Sequence, residues 1–81
     1  MVIPPYNRGK AITKSDTVNF EFGPCEAIYV GGTGGDIVVV WQDDSTSTFT
    51  GVVAGAVYPY AAKRVNSGST TATGLIALYT N

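Results

Sequence analysis

The chain has 81 residues, a formal net charge of -1, 14% charged and 44% hydrophobic residues, one cysteine and no histidine. These values exclude a disulfide framework, a zinc-type ligand set, a concentrated phosphate-binding face and the low-hydrophobicity signature of disorder. A domain of this size buries only about 60% of its unfolded surface, so a partner subunit is the remaining source of extra stability.

Residues 1–11 contain Pro4, Pro5 and Gly9, which oppose both helix and central strand and predict an extended N-terminal arm. Residues 12–81 are expected to form a single β domain. No window carries the i, i+3, i+4 spacing of an amphipathic helix. The expected strands are Ile12–Thr17, Val18–Phe22, Ala27–Val30, Ile37–Gln42, Thr48–Val53, Val57–Val65 and Leu75–Thr80. Gly31–Asp36 and Asp43–Thr46 read as hairpin connections, because Gly and Asp tolerate the positive φ of tight turns. Ser67–Thr71 reads as a further loop. Turn signals about every ten residues predict an all-β fold, a small antiparallel β-sandwich or barrel. The longest apolar run, Ile37–Trp41, is too short to cross a bilayer, and no apolar stretch opens the chain as a signal peptide would. A soluble protein made in the cytoplasm is expected.

Alternate residues of a strand point to opposite faces, so a sheet with one wet face alternates apolar and polar residues. Here Ile37, Val39 and Trp41 on one face are opposed by Val38 and Val40. Leu75, Ala77 and Tyr79 are likewise opposed by Ile76 and Leu78. With no helix to cover it, the second face of such strands is expected to be an interface.

Catalytic motifs are weak. Gly31-Gly32-Thr33-Gly34-Gly35-Asp36 has the glycines of a phosphate loop, but it precedes another strand rather than a helix and lacks a terminal Gly-Lys-Ser/Thr. Without histidine, Ser-His and Cys-His nucleophiles cannot form. Among Glu21, Glu26, Asp36, Asp43 and Asp44, an acid pair would need a cleft that a domain this small can barely form. Asp43-Asp44 reads as a solvated turn and lacks the alternating oxygen ligands of a calcium loop. Cys25, next to Glu26, reads as a small buried apolar residue. Trp41, Tyr58, Tyr60 and Tyr79 suit either sugar stacking or interface anchoring. Tyr58 and Tyr60, flanking Pro59 and sharing a strand face with Arg64, are the best pair for either, and the proline suggests an edge where subunits meet. No catalytic residue, cofactor or metal is expected, and the protein is not expected to be an enzyme.

Four segments carry a further signal: Ile12–Thr17 (ITKSDT), Ala27–Gly32 (AIYVGG), Phe49–Gly55 (FTGVVAG) and Thr70–Tyr79 (TTATGLIALY). In this order and spacing they resemble the small spike-base and decoration proteins of tailed-phage heads and phage-like gene transfer agents. The chain departs from that pattern in the length of the Gly31–Gly35 turn, in the bulk of Trp41 and in Val53, where a proline is common. The resemblance implies a virion structural protein of a bacteriophage head, a capsid-bound homo-oligomer acting as spike base or decoration protein, located on the capsid surface after synthesis in the host cytoplasm. Its implied partners are further copies of itself, as trimer or pentamer, the major capsid protein and a spike or fibre protein, with no nucleic acid and no membrane. Alternatives are a cement protein at three-fold capsid sites, a tail adaptor or stopper, and a free-standing carbohydrate-binding module using Trp41, Tyr58 and Tyr60. Candidate capsid or subunit contacts are Ile3, Pro4, Pro5, Tyr6 and Arg8 on the arm and Tyr58, Pro59, Tyr60 and Arg64 on the domain.

Overall fold

The computed structural model describes Tyr6 and residues 8–80, which form strands and connections without helix. The strands are β1 (Arg8–Ala11), β2 (Ala27–Val30), β3 (Gly35–Val40), β4 (Thr46–Val52), β5 (Val57–Tyr58), β6 (Arg64–Val65) and β7 (Leu75–Tyr79). All pairings are antiparallel, in one sheet of order β1-β7-β2-β5 and another of order β4-β3-β6. The two sheets enclose one core, to which Ile28, Val30, Leu75, Ala77 and Tyr79 come from the first and Ile37, Val39, Val52 and Val65 from the second. The molecule is a small all-β sandwich.

β3 and β4 form a hairpin at the expected Asp43–Thr46 turn. Asp44 takes φ 72°, the Trp41 N–H donates to Ser45 O at 2.8 Å and the Asp44 N–H to Trp41 O at 3.0 Å. Asp43 accepts from the Ser45 N–H and hydroxyl, the local side-chain bonding that makes Asp a turn residue.

Several expected strands are not strands. Residues 12–22 form an irregular strap. Ser15 Oγ accepts from the N–H groups of Thr17 and Val18, and Asp16 Oδ1 accepts from Ser67 and Gly68. Such side-chain bonds compete with a ladder. The strap instead clips onto the sheets singly, through Ile12 N–H to Leu75 O, Ser15 N–H to Val65 O and Phe20 N–H to Lys63 O, each at 2.9 Å. The expected strand Val57–Val65 divides into β5 and β6, in different sheets. Tyr60 N–H bonds back to Tyr58 O and Ala62 N–H to Tyr60 O, i to i-2 turns that bend the chain around Pro59. Gly31–Asp36 is no hairpin connection either, since it passes from β2 in one sheet to β3 in the other.

The outer face of β3, expected to be uncovered, is buried within the chain: Val38 is 8% and Val40 0% exposed. Arg64 lies beside Val40 in register and reaches Asn19 Oδ1 at 3.0 Å. The buried Thr70 hydroxyl accepts the Val38 N–H at 3.0 Å. Thr70→Val is therefore expected to cost about 1–3 kcal/mol, the penalty for a buried donor left unpaired. Thr70→Ser, which keeps the acceptor, should recover most of it in a denaturant titration.

Candidate assembly surface

The outer face of the four-stranded sheet is built from alternate residues of all four strands. The register places Gly9, Leu78 and Ala27 in one row and Ala11, Ile76, Tyr29 and Val57 in the next. Neither row contains a charge. Ile76, Leu78, Tyr29 and Val57 are half-buried, Gly9 and Ala11 exposed and Ala27 fully buried. The side chains lean toward the edge strand: a Cβ on Gly9 would stand 3.4 Å from Ile76 Cγ2 and 3.8 Å from Leu78 Cδ2. The opposite face of β1 carries Arg8 and Lys10. Arg8 stands over the Phe22 ring at 4.3 Å, Lys10 pairs with Glu21 at 3.0 Å, and Phe22 meets Tyr79 edge-on.

Two long sheet edges remain among the described residues, β1 and β4. The β1 edge carries two cations, a common protection against strand pairing. β4 carries neither charge nor proline over Thr46–Val52. Its Phe49 belongs to an aromatic group. Tyr60 stacks with Phe49 at 4.2 Å and with Tyr58 at 5.4 Å, and Trp41 meets Phe49 and Tyr60 edge-on. The Trp41 indole donates to Ser47 Oγ, and the Tyr58 hydroxyl accepts the Val53 N–H. Trp41, Tyr58 and Tyr60 thus come together, but half-buried and stacked largely on one another.

The candidate contacts divide accordingly. Tyr58, Pro59 and Tyr60 form one patch, whereas Arg64 sits in the other sheet, beside Val40 rather than with the tyrosines, because the strand expected to join them is broken. Tyr6 is half-buried and Arg8 begins β1. Ile3, Pro4 and Pro5 lie outside the described residues. Sequence reasoning missed Gly9, Ala11, Tyr29 and Val57 as members of one face. Their signal was the absence of charge at alternate positions, readable only once β7 is known to separate β1 from β2.

The glycine-rich loop is spent on internal bonding. Gly31 N–H donates to Gly74 O, Gly32 N–H to Thr73 O, Thr33 N–H to Thr73 Oγ1 and Asp36 N–H to Thr71 Oγ1, all at 2.8–3.0 Å. None of these four donors is left to cradle a phosphate. The acids are engaged as well: Glu26 accepts from the Thr80 hydroxyl, Asp44 pairs with Lys63, and Asp43 is held below the usual carboxylate range by its bonds from Ser45. No cluster of three potential metal-ligating side chains occurs among the described residues.

Cys25 is buried and its thiol donates to Tyr60 O at 3.3 Å. Burial pushes its pKa above the ordinary 9.0, with the neighbouring Glu26 charge adding to the rise. Burial also raises the Tyr60 and Tyr79 phenols above 10.0. The folded state therefore holds these protons to higher pH than the unfolded chain does. The stability these three groups contribute should fall as pH rises beyond about 9.0, while at the acid end the lowered Asp43 carboxyl makes stability fall as pH drops below 3.8. Urea midpoints measured across that range test this, and the thiol should label with a disulfide reagent only on unfolding.

No protein-family model and no curated protein matches the chain. A solved structure does. A chain in the capsid of a native gene transfer agent (GTA) particle, computed with C5 symmetry, is 34% identical to this one, with a TM-score of 0.81. The match covers 91% of this chain and 83% of that one.

Proposed function

Because the chain belongs to the family of that gene transfer agent capsid component, we propose that it is a structural protein of a phage-like head, bound to the capsid surface as a homo-oligomer and serving as spike base or decoration protein. The observation that carries this reading is the match itself, which spans nearly the whole domain at an identity well above fold-level likeness. The surface agrees with it. A broad uncharged sheet face, an uncharged β4 edge and an aromatic patch suit binding, while the acids and the glycine loop are engaged within the chain.

In this reading the protein acts by binding alone. Copies join one another through the uncharged face and the Tyr58-Pro59-Tyr60 edge, the arm residues Ile3–Tyr6 add contacts to a neighbour, and the assembled ring sits on the major capsid protein beneath a spike or fibre. Many weak contacts made together give strong attachment. A spike base on a fivefold vertex requires a pentamer, and a cement protein on a local threefold site requires a trimer. Electron microscopy of particles with and without the chain, reconstructed without imposed symmetry, is the test. Density on the head that disappears with the chain is expected. Density confined to the tail, or particles identical in both preparations, would sink the reading.

A further inference from the structure

The hydrogen-bonded register identifies which backbone groups the two open sheet edges present. On β1, the Ile12 N–H donates to Leu75 O, and Lys10 and Arg8 stand opposite Ala77 and Tyr79. Residue pairs of an antiparallel ladder alternate between bonded and unbonded, so Arg8 and Lys10 bond to β7, and the N–H and C=O groups of Gly9 and Ala11 point away from the sheet. On the β4 side, the Trp41 N–H donates to Ser45 O, while Val38 O and Val40 O accept from Asn66 and Lys63 across the other flank of β3. Ser47 and Phe49, opposite Val39 and Ile37, therefore bond to β3, and Thr46 and Thr48 point outward. Gly9, Ala11, Thr46 and Thr48 are all exposed. The regular part of the β4 edge ends at Phe49. Beyond it Phe49–Val52 faces Ile37–Gly35 with one residue in excess, a bulge with Gly51 at φ 73°, and a bulged strand bends. The two edges thus match in length, each offering a pair of outward residues in alternation.

Charge decides which edges meet. Two β1 edges would set Arg8 and Lys10 of one copy against those of another, and like charges facing each other destabilise a strand pair. Two β4 edges pair about a two-fold axis, which closes at a dimer and leaves both β1 edges unused. β1 against β4 has neither fault, and its charges are complementary. Among the described residues, Asp43 before β4 and Arg8 and Lys14 at the two ends of β1 make no ion pair within the chain. We propose that β1 of one copy adds antiparallel to β4 of the next, with Gly9 opposite Thr48 and Ala11 opposite Thr46. Each of these pairs exchanges both of its N–H···O bonds. The register sets Arg8 opposite Phe49, a cation beside a ring, and brings Asp43 beyond Ala11 to the side of Lys14. Like faces also join. Gly9 and Ala11 carry the uncharged outer face of one sheet into the neighbour's outer face through Thr48 and Thr46, which lie beside Val38 and Val40. Each copy gives one edge and receives one, the head-to-tail relation that closes into a ring. The inference rests on the homo-oligomer reading above and names a contact for it.

The test uses two full-length variants at exposed positions, Ala11→Cys and Thr46→Cys, mixed and treated with a short bis-maleimide in solution and on particles; the native Cys25 is buried and stays in place. A covalent dimer of unlike chains is expected, and the double variant should give a ladder ending at the ring size. Thr46→Cys chains that link to one another as well as to Ala11→Cys chains would show paired β4 edges and overturn the proposal. So would a double variant linked only within single chains, or no linkage in either setting. Thr48→Pro is the second check. The Thr48 N–H points outward, so proline there removes a bond to the neighbour and none to β3. It should abolish the ladder and leave the unfolding midpoint close to that of the native chain, whereas Ser47→Pro, which breaks a bond to β3, should lower the midpoint. A ladder that survives Thr48→Pro would count against the exchange. A ladder in a protein that never occupies particles would support this inference while sinking the head-protein reading, and occupied particles without linkage would do the reverse.

Discussion

Replacing Gly74 with valine is expected to unfold the domain at temperatures where the native chain is stable. Gly74 takes φ 67°, and a Cβ there would stand 2.4 Å from Gly32 N and 2.9 Å from Gly32 Cα. Both obstacles are backbone, which cannot rotate away as a side chain can. A β-branched residue in the left-handed region costs about 1–3 kcal/mol in strain alone, and relieving the clash means breaking the paired bonds between Gly31-Gly32 and Thr73-Gly74. A total of about 3 kcal/mol or more follows. At roughly 4–8 °C per kcal/mol for a domain of this size, the midpoint should fall by at least about 12 °C. Gly68→Ala is the control: its Cβ would meet only the Asp16 carboxylate, at 3.9 Å. Thermal unfolding of the two variants should separate them clearly. A Gly74→Val midpoint near that of the native chain would show that the loop is not held as described.

The second large effect concerns assembly rather than stability. Deleting residues 1–6 should weaken attachment to particles by about 100-fold or more, because the loss of several linked contacts multiplies. The fold should survive, since the β1 ladder with β7 begins at Arg8. A larger deletion through Gly9 would remove half of β1 and confuse the two effects. Native mass, particle occupancy and the unfolding midpoint, measured together, decide the matter. Unchanged particle occupancy after the deletion would assign the contacts to the domain alone.

Much of the fold was legible in local pattern. The β-branched run Ile37–Val40 and the Asp43-Asp44 turn identified the β3–β4 hairpin, and Leu75–Tyr79 declared itself as a strand. Ile12–Thr17 did not behave as its composition suggested, because Ser15 and Asp16 bond to nearby and distant N–H groups and take the segment out of any ladder. Pro59 marked a disturbance correctly, but not that the chain would leave one sheet for the other there. The two-sided apolar pattern had two different causes. In β3 the outer valines are buried by the chain itself, while in β7 Ile76 and Leu78 remain half-open on the uncharged face. Alternation within one strand cannot distinguish these cases, because the difference lies in which distant segment packs above.

The position of β7 also bears on when the molecule can form. It is the last strand in chain order, yet it lies between β1 and β2 and hydrogen-bonds to both. Until it has been synthesised, the first two strands have no partner in common, and the uncharged face, whose Ile76 and Leu78 belong to β7, does not exist. Closure of this sheet and exposure of its uncharged face therefore wait on one and the same strand.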